Sequence, residues 1–364
     1  MNMKKEPRII VGFDGFIDTL LQCVDKRIGT TKYLRIPTLS RLASRIKQAA
    51  KKNANIECVI QEESLGGNAP LLGQTLTSLG NHIDLIGCCG FPELHPLFSP
   101  IRNMGGTVHS FANPGLTDAL EFNDGKIFLG KMRELGTLSL STFFSRFSEK
   151  QLSSLIKETT LIATVNWTMM PLVQELWAWL LDHTHLLKEK YLFVDLADPA
   201  KRSKSDLKRG LTTLQKLASH CSIILGTNLS ESQQLCKSLH LSPSELLEEN
   251  AQLLANALSL HTVSIHTSKE VVGFHRTENE LCNIKVPHCK QPYRSTGAGD
   301  NFNAGFLSAF LKTGSLEKAL QSGIATSGIW IRTGTPATQE MVRLFLRTWK
   351  LDPTSLNVLF SPPK

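Results

Sequence analysis

Short apolar runs alternate with helical patterns along this 364-residue chain, and this order restricts the fold more than any other feature. The runs that indicate strands lie at residues 9–13, 56–60, 83–87, 161–165, 191–195, 221–225 and 262–266. Apolar residues at helical spacing fall between them, at 39–50, 71–79, 151–157, 171–183, 208–218 and 243–259. Such alternation predicts an α/β fold with a mostly parallel central sheet and helices on both faces. Ligands of such sheets bind beyond the carboxyl ends of the strands.

The composition is that of an ordinary soluble globular protein. Hydrophobic residues make up 41% of the chain and charged residues 20%, and no run approaches the ~18 apolar residues of a membrane span. Eight cysteines show no C-x-x-C pairing, so we expect reduced thiols and a cytoplasmic protein. The net charge of +8 comes from dispersed basic residues, so we expect no nucleic-acid or membrane partner.

Residues 294–306, with the sequence RSTGAGDNFNAGF, indicate an anion-binding turn before a helix. Gly297 and Gly299 have no Cβ, so the backbone can expose consecutive N–H groups at the helix start. Unpaired N–H groups and the helix dipole attract anions such as phosphate. Asp300 follows directly, where a carboxylate can take the proton of an attacking hydroxyl. Together these parts suggest phosphoryl transfer to an alcohol.

A second glycine cluster, at residues 65–70, precedes leucines at helical spacing that end at Gly80. Gly66 and Gly67 permit close approach of a ligand, and the Asn68 side chain offers a donor and an acceptor to hydroxyls. Each cluster alone is a weak signal, because glycine-rich turns often precede helices. The two clusters in this order are much more specific.

With these motifs the chain resembles the ribokinase/PfkB family of sugar and nucleoside kinases. Residues 66–80 are similar to the first signature of that family, and residues 296–306 to its second. Between them, residues 227–231 resemble the family's Asn-x-x-Glu motif at a strand end. The resemblance extends over residues 9–338 and implies a single ribokinase-like domain spanning residues 1–364.

The resemblance also implies the catalytic groups and the cofactors. Asp300 corresponds to the general base of the family. The turn that would stabilise charge on the moving phosphoryl group comprises Gly297, Ala298 and Gly299. ATP is the implied donor, and Mg²⁺ would be held through water near Asn228 and Glu231.

Two further groups of residues are assigned to the nucleotide by the resemblance alone. A turn that aligns with a nucleotide-contacting segment contains Thr267, Ser268 and Lys269. A downstream helix whose small residues would wall the adenine contains Gly323, Ala325 and Ser327. Close helix packing also needs small residues, so both interpretations of that helix stay open.

The acceptor site that the resemblance implies combines Gly66, Gly67 and Asn68 with an aspartate after the first strand. Asp14 follows that strand directly, whereas Asp18 lies closer to the spacing usual in the family. We expect both carboxylates to face the site, with Asp14 slightly ahead. The alternative for either is a turn cap.

Two stretches with turn signals break the alternation of strands and helices. The resemblance implies that segments at about residues 18–37 and 107–133 form a small β-lid over the sugar. A lid suits the chemistry, because a kinase must exclude water that would otherwise accept the phosphoryl group. The resemblance also allows a homodimer through this lid.

Arg294 departs from the family pattern, in which an aspartate opens the second signature and helps to bind a monovalent cation. An arginine cannot bind K⁺, and its fixed charge repels one. Its guanidinium could replace the electrostatic effect of the cation, or the change could be ordinary variation of a loop. K⁺ activation is therefore in doubt.

We therefore predict a kinase that transfers the γ-phosphoryl group of ATP to a hydroxyl of a small sugar or sugar derivative. A nucleoside kinase of the same fold is one alternative, and the aromatic residues Tyr33, Phe111 and Phe122 are too few to decide. A catalytically silent sugar-binding sensor is the other, and the complete loop with Asp300 argues against it. The sequence does not distinguish which sugar or which hydroxyl is phosphorylated.

Overall fold

The computed structural model describes residues 7–132 and 134–362. Its strands are β1 (Arg8–Gly12), β2 (Phe16–Arg27), β3 (Tyr33–Arg35), β4 (Cys58–Gly66), β5 (His82–Gly87), β6 (Thr107–Ser110), β7 (Gly115–Phe122), β8 (Gly125–Lys131), β9 (Leu161–Val165), β10 (Tyr191–Asp195), β11 (Ser222–Asn228), β12 (Thr262–His266), β13 (Glu270–His275) and β14 (Glu280–Lys285). Its α-helices are α1 (Leu39–Gln48), α2 (Asn68–Ser78), α3 (Ser99–Asn103), α4 (Leu140–Arg146), α5 (Glu149–Glu158), α6 (Pro171–Asp182), α7 (Lys204–Leu217), α8 (Leu229–Ser238), α9 (Leu247–Ala257), α10 (Ala298–Thr313), α11 (Leu316–Thr333), α12 (Gln339–Leu351) and α13 (Leu356–Leu359).

The large sheet has nine strands in the order β14-β13-β12-β11-β10-β9-β1-β5-β6. Strands β12 to β6 in this order run parallel, and β13 and β14 add an antiparallel edge. The predicted α/β class with a mostly parallel sheet is confirmed. The chain leaves β1 toward β5 and β6 and later returns on the other side with β9. The carboxyl ends of β1 and β9 therefore flank the switch point where such sheets bind ligands.

Helices cover both faces of this sheet because its parallel strands are apolar on both sides. In β1, Ile10 packs into one buried cluster, whereas Ile9 and Val11 pack into another. The first cluster is completed by residues of α4 to α9, and the second by residues of α2, α3 and α10 to α13. Continuous apolar runs are expected for strands that are buried on both faces.

A second, five-stranded sheet contains β2, β3, β4, β7 and β8. The long strand β2 pairs antiparallel with β3 and β4 and parallel with β7, which forms a hairpin with β8. Its strands β2, β4, β7 and β8 supply residues to the cavities described below. We call this the small sheet.

The predicted bounds of the lid segments need two corrections. Residues 107–110 form β6, which pairs with β5 in the large sheet, because its register places Val108 beside Leu85. Conversely β4, predicted only in part and as one of the alternating strands, belongs to the small sheet. Its Gln61, Glu62 and Glu63 are all exposed, so no apolar period marked it. Residue 133, the predicted end of one segment, lies outside the described residues.

No helix in the described part of the chain combines the length and the apolar character that a membrane span needs.

Candidate active site

Asp14, just after β1, caps the N-terminus of α2. Its carboxylate accepts hydrogen bonds from the backbone N–H groups of Asn68 (2.9 Å) and Ala69 (2.7 Å). The side-chain amide of Asn166, just after β9, donates a third at 2.6 Å. Asp14 is fully buried, and burial raises the pKa of its carboxyl against the lowering effect of these bonds. These bonds give Asp14 the contacts of a helix cap, and its role as a substrate ligand stays a prediction.

Asp18 occupies the more open position of the two aspartates. It lies on β2, opposite Ser64 of β4, and lines a cavity of about 580 Å³. Burial raises the pKa of its carboxyl, while the Thr117 hydroxyl and the charge of Arg294 lower it. A Cβ on Gly66 would lie 2.5 Å from Asp18 Cγ, so glycine at position 66 leaves the room that this carboxylate occupies.

The N-terminus of α10 faces the same cavity. Gly297 precedes the helix with φ of 82°, a left-handed conformation that favours glycine. The N–H of Ala298 donates to the Ser295 carbonyl at 3.2 Å, so the turn itself occupies this predicted anion donor. The N–H groups of Gly299 and Asp300 lie in the first turn, where a helix offers no acceptor four residues back.

Asp300 lines the cavity from the first turn of α10 and is 8% exposed. Its Oδ1 accepts a hydrogen bond from the side-chain amide of Asn68 at 2.8 Å. Burial and the nearby carboxylates of Asp195 and Asp14 raise the pKa of Asp300 well above its usual range, and the Asn68 bond opposes this shift. The two glycine motifs thus meet through one hydrogen bond, between residues 232 positions apart in the chain.

Asn228 and Glu231 form a capping box at the start of α8. The Asn228 side chain accepts from the Glu231 N–H at 2.9 Å, and the Glu231 carboxylate accepts from the Asn228 N–H at 3.2 Å. The Thr227 hydroxyl and the Asp198 N–H also donate to Glu231, at 3.1 and 3.0 Å. Both Asn228 and Glu231 line the cavity, so the motif that fixes this helix also faces the candidate site.

Asp195, the last residue of β10, adds a second acidic group beside Glu231. It accepts hydrogen bonds from the Ala197 N–H (2.9 Å) and the Asn303 amide (2.8 Å). Burial, and then repulsion from Glu231, raise the pKa of Asp195 to about 7. Within the described ranges, no three His, Cys, Asp or Glu side chains are grouped to hold a metal ion. A Mg²⁺ ion here would therefore take most of its ligands from phosphate and water.

A second cavity of about 520 Å³ meets the first at His266 and Gly299. The predicted turn residues Thr267, Ser268 and Lys269 line it. The rest of its wall is largely apolar and includes Val271, Val286, Phe302, Ile324 and Ile331. This lining suits an apolar group such as a nucleobase.

Only one of the three small residues predicted on α11 lines this second cavity. Ser327 does so, together with Ile324 and Gly328. Gly323 instead packs on Phe302, since a Cβ there would lie 2.7 Å from its ring, and Ala325 is fully buried in the core. The contacts of Gly323 and Ala325 are those of helix packing, and their place beside an adenine stays a prediction.

Sequence reasoning missed two polar residues at strand ends. Asn166 follows β9, lines the first cavity and also binds Asp14. His266 ends β12 between the two cavities, packs against Phe302 with ring centroids 5.1 Å apart, and has a pKa lowered by burial. Both could have been found by examining polar residues at the carboxyl end of every predicted strand.

Comparisons with known proteins agree with this geometry. A family model described as prokaryotic ketohexokinase matches residues 2–349. The chain belongs to this family. A ketohexokinase from Haloferax volcanii is 27% identical over 349 residues, which cover 93% of this chain and 90% of that protein.

The fold is also that of solved kinases. Ribokinase from Thermotoga maritima is 16% identical with a TM-score of 0.64, covering 94% of this chain and 100% of that one. Arabidopsis thaliana ribokinase, solved with ribose and ATP, is 13% identical with a TM-score of 0.65, covering 94% and 99%. The ribokinase/PfkB resemblance is thereby confirmed, and the protein is an ATP-dependent sugar kinase, a phosphotransferase with an alcohol acceptor.

Proposed function

We propose that this kinase phosphorylates a hydroxyl of a ketohexose in the cavity between the small sheet and α10. The family match and the relative from Haloferax volcanii, both described as ketohexokinase, support this choice of sugar. The observation that carries the proposal is the position of Asp300. Its buried carboxylate lies in the first turn of α10, where the two cavities meet. We call the cavity of about 580 Å³ the polar cavity and that of about 520 Å³ the apolar cavity.

In this proposal Asp300 accepts the proton of the attacking hydroxyl, and its raised pKa makes it a stronger base once deprotonated. Asn68 orients that carboxylate through its amide. The first-turn N–H groups at Gly299 and Asp300 stabilise charge on the phosphoryl group as it moves, with support from the helix dipole. Asp18 binds hydroxyls of the sugar, because its carboxylate lines the polar cavity.

The apolar cavity holds the adenine of ATP, with Thr267, Ser268, Lys269 and Ser327 along its wall. Bound Mg²⁺ supplies charge neutralisation to the phosphates near Asn228 and Glu231. Asp195 and Glu231 fit such an ion, since the repulsion between them is relieved by a nearby cation.

The small sheet acts as a lid on what we propose is a single domain, because it supplies Asp18, Thr117 and Phe128 to one wall of the polar cavity. A homodimer through this sheet is part of the proposal, since Leu34 and Ile60 are 54% and 60% exposed. Sedimentation of Ile60→Asp should show a smaller species than the unmodified protein. A cytoplasmic location agrees with the use of ATP and with eight free cysteines.

The test is ATP consumption by the purified full chain with a panel of acceptors. The panel contains fructose and other ketohexoses, aldohexoses, ribose, sugar phosphates and nucleosides, and Asp300→Asn controls for contaminating kinases. We expect the highest kcat/KM with a ketohexose. A nucleoside as best substrate would assign the protein to the alternative class, and saturable sugar binding without ADP release would make it a sensor.

A further inference from the structure

Arg294 connects the small sheet to the anion-binding loop. Its Nη2 donates to the Ser64 hydroxyl of β4 at 2.8 Å, and its Nη1 lies 3.8 Å from the Glu62 carboxylate on the same strand. The guanidinium also lies over the Trp330 ring of α11, 5.2 Å from the centroid. One side chain thus contacts two layers of the molecule that are far apart in sequence.

Trp330 extends this connection into the loop itself. Its Nε1 donates to the Thr296 carbonyl at 2.8 Å, next to the left-handed Gly297. A Cβ on Gly297 would lie 3.4 Å from the Trp330 ring, so the ring is in contact distance of the turn. The backbone N–H groups of Tyr293 and Arg294 both donate to the Ile331 carbonyl, which fixes the base of Arg294 to α11.

We propose that Arg294 is a positioning residue that joins β4 of the small sheet to the anion-binding loop, and so sets the distance between Asp18 and Asp300. Its effect on catalysis rests on the function proposed above, whereas its effect on β4 does not. An arginine suits this arrangement, because a planar guanidinium can donate to Ser64 from its edge while its face lies on an indole.

The charge of Arg294 also acts on the candidate sugar ligand. It lowers the pKa of Asp18, against the raising effect of burial. The other charged groups that line the space between the small sheet and the loop are Glu62, Glu121 and Lys126. The side chain that holds β4 therefore also favours the ionised form of Asp18, in opposition to the larger raising effect of burial.

Amide hydrogen exchange tests the connection without any substrate. In Arg294→Gln, exchange of β4 amides at residues 60–66 should become at least several-fold faster, while the strands of the large sheet stay unchanged. Arg294→Lys should resemble Arg294→Gln, and the exposed Arg102→Gln should resemble the unmodified protein. Unchanged exchange of β4 in Arg294→Gln would overturn the proposal. Should that variant not fold, Ser64→Ala and Trp330→Phe make the same test from the partner side.

Kinetics test the consequence for the reaction. We expect kcat/KM for the best sugar to fall about tenfold in Arg294→Gln, the size expected for losing a charged hydrogen bond. Ser64→Ala should cost less and should add nothing in the Arg294→Gln background, because both changes break the same contact. The pKa of the Asp18 carboxyl, followed by NMR without sugar, should rise in Arg294→Gln but not in Ser64→Ala.

Additive effects of the two substitutions would show that Arg294 and Ser64 act independently, and full rescue by lysine would show that charge alone matters. Either result would overturn the positioning role. If the unmodified protein consumes no ATP with any sugar, the proposed function fails, and the exchange measurement still decides whether Arg294 joins the two layers.

Discussion

The N-termini of α2 and α10 look alike in sequence and differ in how their N–H groups are satisfied. Each follows a glycine with positive φ, Gly67 at 91° and Gly297 at 82°, and each has an aspartate nearby. In α2 the aspartate comes from another segment: Asp14 accepts from two first-turn N–H groups and is fully buried. In α10 the aspartate is the helix's own Asp300, and it faces the cavity.

The difference shows that a glycine motif before a helix does not by itself mark an anion site. The first N–H groups of α2 bond to Asp14 inside the protein, although Gly67 and Asn68 also line the cavity. At the start of α10 the Ala298 N–H bonds to Ser295, whereas Gly299 and Asp300 line the cavity, where the helix dipole favours a charged ligand. Asn68 belongs to the first end and bonds to Asp300 at the second, which aligns the two.

The largest expected effect is a loss of activity on substitution of Asp300 at the N-terminus of α10. Asp300→Asn should reduce kcat at least ~10²-fold, because a general base is lost, while the melting temperature stays nearly unchanged. Since the raised pKa of Asp300 must be exceeded for it to act as a base, kcat of the unmodified protein should fall as the pH drops through that pKa. Activity within a few-fold of the unmodified protein would contradict the assigned role.

The same substitution at the other end should act on stability. Asp14→Asn replaces one acceptor oxygen by an NH₂ group that must face a protein donor, so the free energy of unfolding should fall by about 1–3 kcal/mol. Chemical denaturation measures this, with the exposed Asp182→Asn as control. An unchanged unfolding curve together with a raised KM for sugar would return Asp14 to the substrate site and break the comparison.

Asp18 should behave as a ligand of the sugar. Asp18→Asn should lower kcat/KM for the sugar about 10- to 100-fold, mainly through KM, because a charged hydrogen-bond acceptor is lost. Asp25→Asn is the matched control, since Asp25 lies on the same strand but bonds to Arg41 and Arg45 outside the cavity. Equal KM values for the two variants would remove Asp18 from the acceptor site.

Much of the site could be predicted from the sequence because the second signature is local. Asp300 and the turn before it lie within four residues, so their spacing fixes their geometry. The choice between Asp14 and Asp18 could not be made, because it depends on Asn68 and Asn166, which approach from distant strands and helices. Spacing within one segment does not predict which residues of other segments will form hydrogen bonds to its side chains.

The outline of the small sheet was harder to predict for a different physical reason. Strand β4 is exposed over most of its length and carries four consecutive polar residues, at 61–64, so no apolar alternation marks it, and its pairing with β2 is non-local. The same limit applies to α11, where Ser327 reaches the second cavity but Gly323 and Ala325 do not. Which small residues of a helix line a cavity depends on how the helix is rotated against its neighbours, and the sequence of the helix does not give that rotation.

At the start of a third helix, α8, Glu231 belongs to the capping box and also lines the cavity. Glu231→Gln keeps the capping box, because glutamine also accepts from the Asn228 N–H, but removes the charge. The Mg²⁺ concentration for half-maximal rate should rise about tenfold. Glu278→Gln, on the exposed turn after β13, is the control. An unchanged Mg²⁺ titration would restrict Glu231 to capping α8.

The smallest expected effect concerns monovalent cations at the open end. The guanidinium of Arg294 lies among Tyr293, Thr333, Gly334 and Thr335 around a cavity of about 330 Å³, so a fixed positive charge already stands beside the anion-binding loop. Replacing K⁺ by a bulky inert cation should therefore change kcat less than about twofold, provided that ionic strength is held constant to keep general screening equal. Arg294→Asp should lower the rate, because in the absence of K⁺ the new carboxylate repels the phosphate. The rate of this variant should rise with K⁺, because the carboxylate attracts the cation. Strong K⁺ activation of the unmodified protein would mean instead that backbone carbonyls bind a cation despite Arg294, and that the open end of α10 needs more positive charge than its dipole and this arginine supply.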